Sequence, residues 1–141
     1  MENVLIDTDV LLDFFFDRKP FSDDAASILM LCEKGQIKGF VTAIMISNIY
    51  YLLRKTAKHE KVIENLKMLM RLVAVTTKDC VNQALNSSFN DFVDALQNFS
   101  ARNEQNIRVI ITRNVKDYKT SDLSIMNPET YLKSVQFIQD I

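Results

Sequence analysis

The sequence predicts a three-layer α/β/α sandwich with a central parallel sheet, and three observations carry that prediction. Short apolar runs rich in Val and Ile alternate with longer stretches of helical period, the pattern of strands covered on both faces. Only two Gly and two Pro occur, too few for an all-β chain built on tight turns. The 141 residues, 48% hydrophobic and 25% charged, have ordinary globular composition and suffice for one domain, residues 1–141. A chain of this size buries roughly two-thirds of its unfolded surface.

The elements follow in order. Residues 3–7 (NVLID) read as a strand, because the apolar run is short and β-branched. A helix over about 9–16 comes next, and Pro20 falls in the connection. Ser22-Asp23-Asp24 caps a helix with Ala25, Ile28, Leu29, Leu31 and Cys32 on its apolar face, ending near Gly35. Gly39-Phe40-Val41 is a short second strand. Thr42 caps the helix AIMISNIYYLLRK, whose apolar positions wrap most of its circumference and predict deep burial. A helix over about 59–70 precedes the strand Leu72-Val73-Ala74-Val75. Thr76-Thr77-Lys78-Asp79 opens a helix through Cys80, Val81, Ala84 and Leu85. After a turn at 87–91 come the helix DFVDALQNFSA and the strand 108–111. Leu123-Ser124-Ile125 is a weak edge strand, and Pro128 suits the first turn of a last helix. The apolar helical faces around 28–32 and 66–70 suit the core better than a homodimer surface.

Composition removes several functions. Two glycines leave no Gly-rich phosphate loop. One histidine, His59 in the polar AKHEK segment, leaves no Ser-His-Asp set and no usual zinc site, and reads as solvated surface. Cys32 and Cys80, without a CxxC or a signal peptide, read as reduced thiols of a cytoplasmic protein. No apolar run approaches the roughly 18 residues of a membrane span. With 17 basic against 18 acidic residues, contact with nucleic acid has to come from local patches.

The chemistry lies in the acids. Asp7 follows the first strand, at the edge where open α/β sheets bind ligands, with Asp9 two residues on. A helix cap is the competing reading for Asp7. Asp91 and Asp94 lie three apart at a helix start, on one face near its positive end; the plainer reading makes Asp91 a cap and Asp94 surface. Asp117 follows the strand 108–111 by six residues. Acids after two parallel strands meet along one sheet edge, and carboxylates gathered there repel unless a cation neutralises them. Oxygen donors without His or Cys select a hard ion, Mg²⁺ or Mn²⁺.

These motifs and the order of elements resemble the PIN domain, the nuclease fold of many toxin ribonucleases in bacterial toxin–antitoxin pairs, over essentially the whole chain. Asp7 in LIDTDVLLD matches the family's opening acid, with Asp9 where Asn is more usual. Asp94 in DFVDALQ matches the acid of its central helix, and TRNVKDY its closing segment, with Asp117 as acid and Asn114 as polar neighbour. One departure stands out: Asn48 occupies the place of the usual Glu. The resemblance implies phosphodiester hydrolysis on single-stranded RNA, with Asp7, Asp94 and Asp117 holding Mg²⁺ or Mn²⁺ and Asp91 in support. Thr112 and Asn114 would orient water or phosphate, and an antitoxin protein is the implied partner. Arg54, Lys55, Lys58, Arg113 and Lys116 are the candidates for RNA backbone contacts, against the plain reading of a solvated surface.

Two alternatives compete with this reading. Asp7-Thr8-Asp9-Val10 also resembles the opening of haloacid-dehalogenase-type phosphatases, in which Asp7 would be a covalent nucleophile and Asp9 a general acid. Asn48 supports the other, a catalytically impaired PIN-like module that binds RNA or protein.

Overall fold

The computed structural model describes residues 1–78, 80–104 and 106–140. Five strands form one all-parallel sheet in the order β3-β2-β1-β4-β5. They are β1 (Glu2–Ile6), β2 (Ile37–Val41), β3 (Val73–Val75), β4 (Ile107–Ile111) and β5 (Ser124–Met126). The helices are α1 (Thr8–Phe15), α2 (Ser22–Glu33), α3 (Ala43–Arg54), α4 (His59–Leu69), α5 (Val81–Leu85), α6 (Phe92–Asn103) and α7 (Pro128–Asp140). A 3₁₀ turn, Val115–Tyr118, joins β4 to β5. The expected α/β/α sandwich is the fold observed.

Strand order determines where the layers lie. The chain steps outward from β1 to β2 to β3, then returns past both to β4. Right-handed crossovers therefore place the two directions of travel on opposite faces. Helix α1 packs against both α2 and α3, α3 packs against α4, and α7 joins α2, whereas α5 and α6 pair with each other. Val4, Leu5, Ile6, Val109, Ile110 and Ile111 are almost wholly buried, as central strands covered on both faces must be. In β2, a Cβ on Gly39 would lie 2.9 Å from both Cys32 Sγ and Ile6 Cδ1, so only glycine lets α2 sit this close to the sheet. Gly35, at φ +72°, ends α2 as anticipated.

Two elements depart from expectation. The helix placed at Thr76–Leu85 shrinks to α5; Asp79 lies outside the described residues. Thr76 N–H donates to Val41 O at 2.9 Å, extending the ladder, and Thr77 N–H donates to Glu104 Oε2 at 3.2 Å, so sheet and α6 bonds outcompete a helical start. Helix α3 is less buried than its apolar circumference suggests: Met45, Ile49 and Leu53 enter the core, while Ile44 and Tyr51 remain exposed. Of the two apolar helical segments, Ile28, Leu29, Leu66 and Leu69 are core, and Met30 and Met70 face solvent.

Candidate active site

Strand order reverses between β1 and β4, and at such a switch point two loops diverge and leave a crevice at the strands' carboxyl ends. Asp7 and Thr112 occupy those two ends. Asp7 N–H donates to Ile111 O at 2.9 Å, carrying the β1–β4 ladder as far as the acid itself. Its side chain serves two roles that seemed alternatives from sequence. Oδ1 accepts from Thr8 N–H at 2.7 Å, capping α1, and Oδ2 accepts from Thr112 Oγ1 at 2.8 Å and Tyr118 O–H at 3.2 Å. Burial raises its pKa, opposed by the bonds from Thr112, Thr8, Tyr118 and Gln97.

Asp9 stands beside it. Its Oδ2 accepts from Arg113 N–H at 3.0 Å and lies 3.3 Å from Thr112 Oγ1. A hydroxyl has one proton, and the shorter contact directs it to Asp7. Burial first, then the nearby Asp7, push the Asp9 pKa up to about 6. Its Oδ1 is buried with no hydrogen-bond partner. One turn along α1, Asp13 is 1% exposed and accepts from Arg113 Nε at 2.6 Å and Nη2 at 3.1 Å. Arg18 Nη1 approaches the same carboxylate at 3.6 Å, and the Arg113 guanidinium lies 4.0 Å from the Phe21 ring centroid.

From the opposite layer, α6 brings Asp94. Asp91 caps the helix by accepting from Asp94 N–H at 3.0 Å, which holds the Asp94 side chain in the first turn. Burial, followed by repulsion from Asp91, Asp7 and Asp117, raises the Asp94 pKa to about 7, and the Tyr118 hydroxyl offsets part of this. Tyr118 therefore stands between the two acids, its hydroxyl receiving Gln97 Nε2–H at 2.7 Å and donating to Asp7. Asp7, Asp9, Asp91 and Asp94 share an open cleft of about 560 Å³ with Asn48, Lys55 and Asn114. Asp117 was expected in this cleft; it lies instead in an adjoining groove that shares Asp91 and Asp94 and includes Lys116. The 3₁₀ turn explains the offset, because it directs Tyr118 inward and leaves Asp117 exposed.

The basic residues separate. Lys55 lines the cleft, whereas the side chain of Arg54 donates to Ala57 O at 2.9 Å beyond the end of α3, and Lys58 precedes α4 as its N-cap. Arg113, expected on the rim, is committed to Asp13 instead, since a carboxylate this buried needs a counter-charge. Sequence reasoning overlooked Tyr118, Gln97 and Asp13. Their signals were present: Tyr118 closes the KDY motif, Gln97 lies one turn after Asp94, and Asp13 is an acid inside the apolar run LLDFFF. His59 is exposed, as expected, with Nδ1 2.8 Å from Tyr50 Oη.

A family model described as a PIN domain matches residues 3–116, most of the chain. The chain is a PIN domain. Solved structures agree on the fold. A chain of VapBC2 from Rickettsia felis, crystallised with a DNA fragment from the promoter, superposes on this PIN domain with TM-score 0.62 at 16% identity, covering 89% of this chain and 98% of that one. A chain of VapBC-1 from nontypeable Haemophilus influenzae gives 0.59 at 17% identity, covering 90% and 98%. No curated protein sequence matches significantly. Membership in the PIN family displaces the phosphatase alternative. Among the described residues, no helix of the domain is long and apolar enough to cross a membrane.

Proposed function

We propose that this PIN domain is a metal-dependent endoribonuclease acting on single-stranded RNA, the toxin partner of an antitoxin protein. One observation carries the reading: Asp7 and Asp94, from opposite layers, open onto one cleft at the sheet's carboxyl edge, with the Asp94 carboxyl raised to about 7 by burial and by the acids around it. A cation relieves that repulsion.

Among the described residues no three acids are gathered closely enough to form a ready-made metal cage. The donor set nevertheless fits a hard divalent ion. Mg²⁺ is commonly held by one or two carboxylates, keeping waters and substrate phosphates as its other ligands. Asp7 and Asp94 would supply the carboxylates, and the unpartnered, buried oxygens Asp9 Oδ1 and Gln97 Oε1 are further oxygen donors beside them. Asp117, from the adjoining groove, adds negative field at Asp94. When bound, Mg²⁺ or Mn²⁺ lowers the pKa of water and neutralises charge on the phosphate. The chain's own part is orientation. Thr112 and Tyr118 hold Oδ2 of Asp7, Thr8 holds Oδ1, and Asn114 offers an exposed amide at the cleft for water or a phosphate oxygen. The antitoxin partner is proposed from membership in the PIN family, and the fold neighbours, chains of VapBC2 and VapBC-1, accord with it.

Asp7→Asn tests the proposal. It should abolish Mn²⁺-dependent cleavage of single-stranded RNA while the metal-free protein melts no lower than the parent, since one repelling charge is gone. Undiminished cleavage would leave Asp7 as a helix cap and nothing more. Tight Mn²⁺ binding by the parent without any cleavage would favour the binding-module alternative.

A further inference from the structure

Helix α3 carries two stripes. Met45, Ile49 and Leu53 are the buried one. Asn48, Tyr51, Leu52 and Lys55, at i, i+3, i+4 and i+7, form the other, and all four line the cleft that holds Asp7 and Asp94. On this stripe Tyr51 leaves 66% of its surface in solvent. An isolated exposed aromatic is unremarkable on a protein surface, but this ring is braced and flanked. Tyr50 packs against it edge-on, with centroids 5.1 Å apart at 82°. Tyr50 is itself anchored by the hydrogen bond between its hydroxyl and His59 at the start of α4. One turn beyond Tyr51 is Lys55, and Arg18 lines the same cleft from beyond α1. The Arg18 guanidinium carries five donors, only part of which its 3.6 Å contact with Asp13 can engage.

The geometry points to a nucleobase-stacking subsite: Tyr51 takes the face of a base adjacent to the phosphate being cut, with Lys55 and Arg18 receiving neighbouring backbone phosphates. Such a subsite requires an unpaired nucleotide, because a base inside a duplex already has both faces stacked. Aromatic faces interleaved with cations are how proteins hold single strands without reading sequence. A protein-docking patch would instead show a continuous apolar centre depleted of charge. The inference rests on the ribonuclease reading and assigns its substrate-binding wall to α3.

The test separates KM from kcat on a short single-stranded RNA in Mn²⁺. Tyr51→Ala should raise KM on the order of tenfold, the loss expected for one stacked base, with kcat little changed. Tyr51→Phe keeps the ring face and should behave as the parent. An RNA lacking the base at the stacked position should impose the same penalty on the parent and no further penalty on Tyr51→Ala. The chain contains no tryptophan, so Tyr51→Trp in an Asp7→Asn background supplies a single reporter whose fluorescence a stacked base should quench. If the parent cuts RNA and Tyr51→Ala leaves KM unchanged, the subsite is overturned while the ribonuclease reading stands. A change in oligomeric mass on Tyr51→Ala, without a KM effect, would make this wall a protein interface and overturns the subsite too. If the parent neither binds nor cuts RNA, the ribonuclease reading fails and the subsite with it.

Discussion

On the wall formed by the ends of β1 and β4, nearly every polar side-chain atom is already engaged; on the α3 wall facing it, Asn48, Tyr51 and Lys55 stand exposed. The first wall ties Asp7 to Thr112, and Asp9 and Asp13 to Arg113, by hydrogen bonds of 2.6–3.0 Å between residues about a hundred positions apart. Its bonds hold geometry, so losing one of the donors that pin its carboxylates disturbs folding and chemistry together. The second wall touches the core through its other face and can change without unfolding the chain. Preorganised groups sit where chemistry occurs, and adaptable ones where substrate must enter and leave.

The largest expected effect tests whether the first wall is structural in this sense. Arg113→Ala leaves the Asp13 carboxylate buried with Arg18 at 3.6 Å as its nearest cation, and should cost about 3 kcal/mol in urea unfolding. Arg113→Lys should recover little, since the two-pronged contact is lost. Lys55→Ala, on the other wall, should stay within about 0.5 kcal/mol of the parent. Equal losses at the two sites would erase the distinction. Next comes Tyr118→Phe, which removes a donor from Asp7 and the acceptor 2.7 Å from Gln97 Nε2. A loss of about 1–2 kcal/mol is expected, with weaker Mn²⁺ binding by calorimetry as Asp7 loses its orientation.

Asn48→Glu sharpens the comparison by placing a carboxylate on the adaptable wall. Mn²⁺ should bind more tightly, and each tenfold gain adds about 1.4 kcal/mol of metal-induced stabilisation. Without metal the variant should melt below the parent, because another acid joins the cleft. Equal metal-induced shifts in parent and variant would show that position 48 does not reach the ion.

A further effect is a slope with pH. The Asp94 pKa of about 7 exceeds the ordinary 3.8, so the folded chain holds this proton more tightly than the unfolded chain does. Stability of the metal-free protein should therefore fall as pH rises from about 4 to 7, with Asp9, near 6, adding in the same direction. Asp94→Asn should flatten the melting temperature across that window. Saturating Mn²⁺ should stabilise more at the upper end, where carboxylates need not release protons to bind it.

How much of this was legible in the chain differs between the walls. Strands 3–7 and 108–111 were readable because a strand buried on both faces is apolar at every position, which leaves the first acid after it conspicuous. Asp7 stood out in that way, Asp94 by lying three residues after Asp91 at a helix start, and Gly35 marked a helix end through backbone freedom that is local by nature. Periodicity also reports how apolar a helix is, but not which of its faces meets another layer. The spacing of Asn48, Tyr51, Leu52 and Lys55 was in the sequence from the start; only the position of α3 against α1 and α6 turned it into a cleft wall. The fate of Arg113 was decided in the same way, by Asp13 a hundred residues earlier, and that of Asp117 by a 3₁₀ turn that sends Tyr118 inward in its place. Composition and period arise from interactions within a few residues, where the chain is its own environment. Charge pairing and cleft membership depend on which distant residues the sheet order β3-β2-β1-β4-β5 brings together, and handedness limits that order without choosing it.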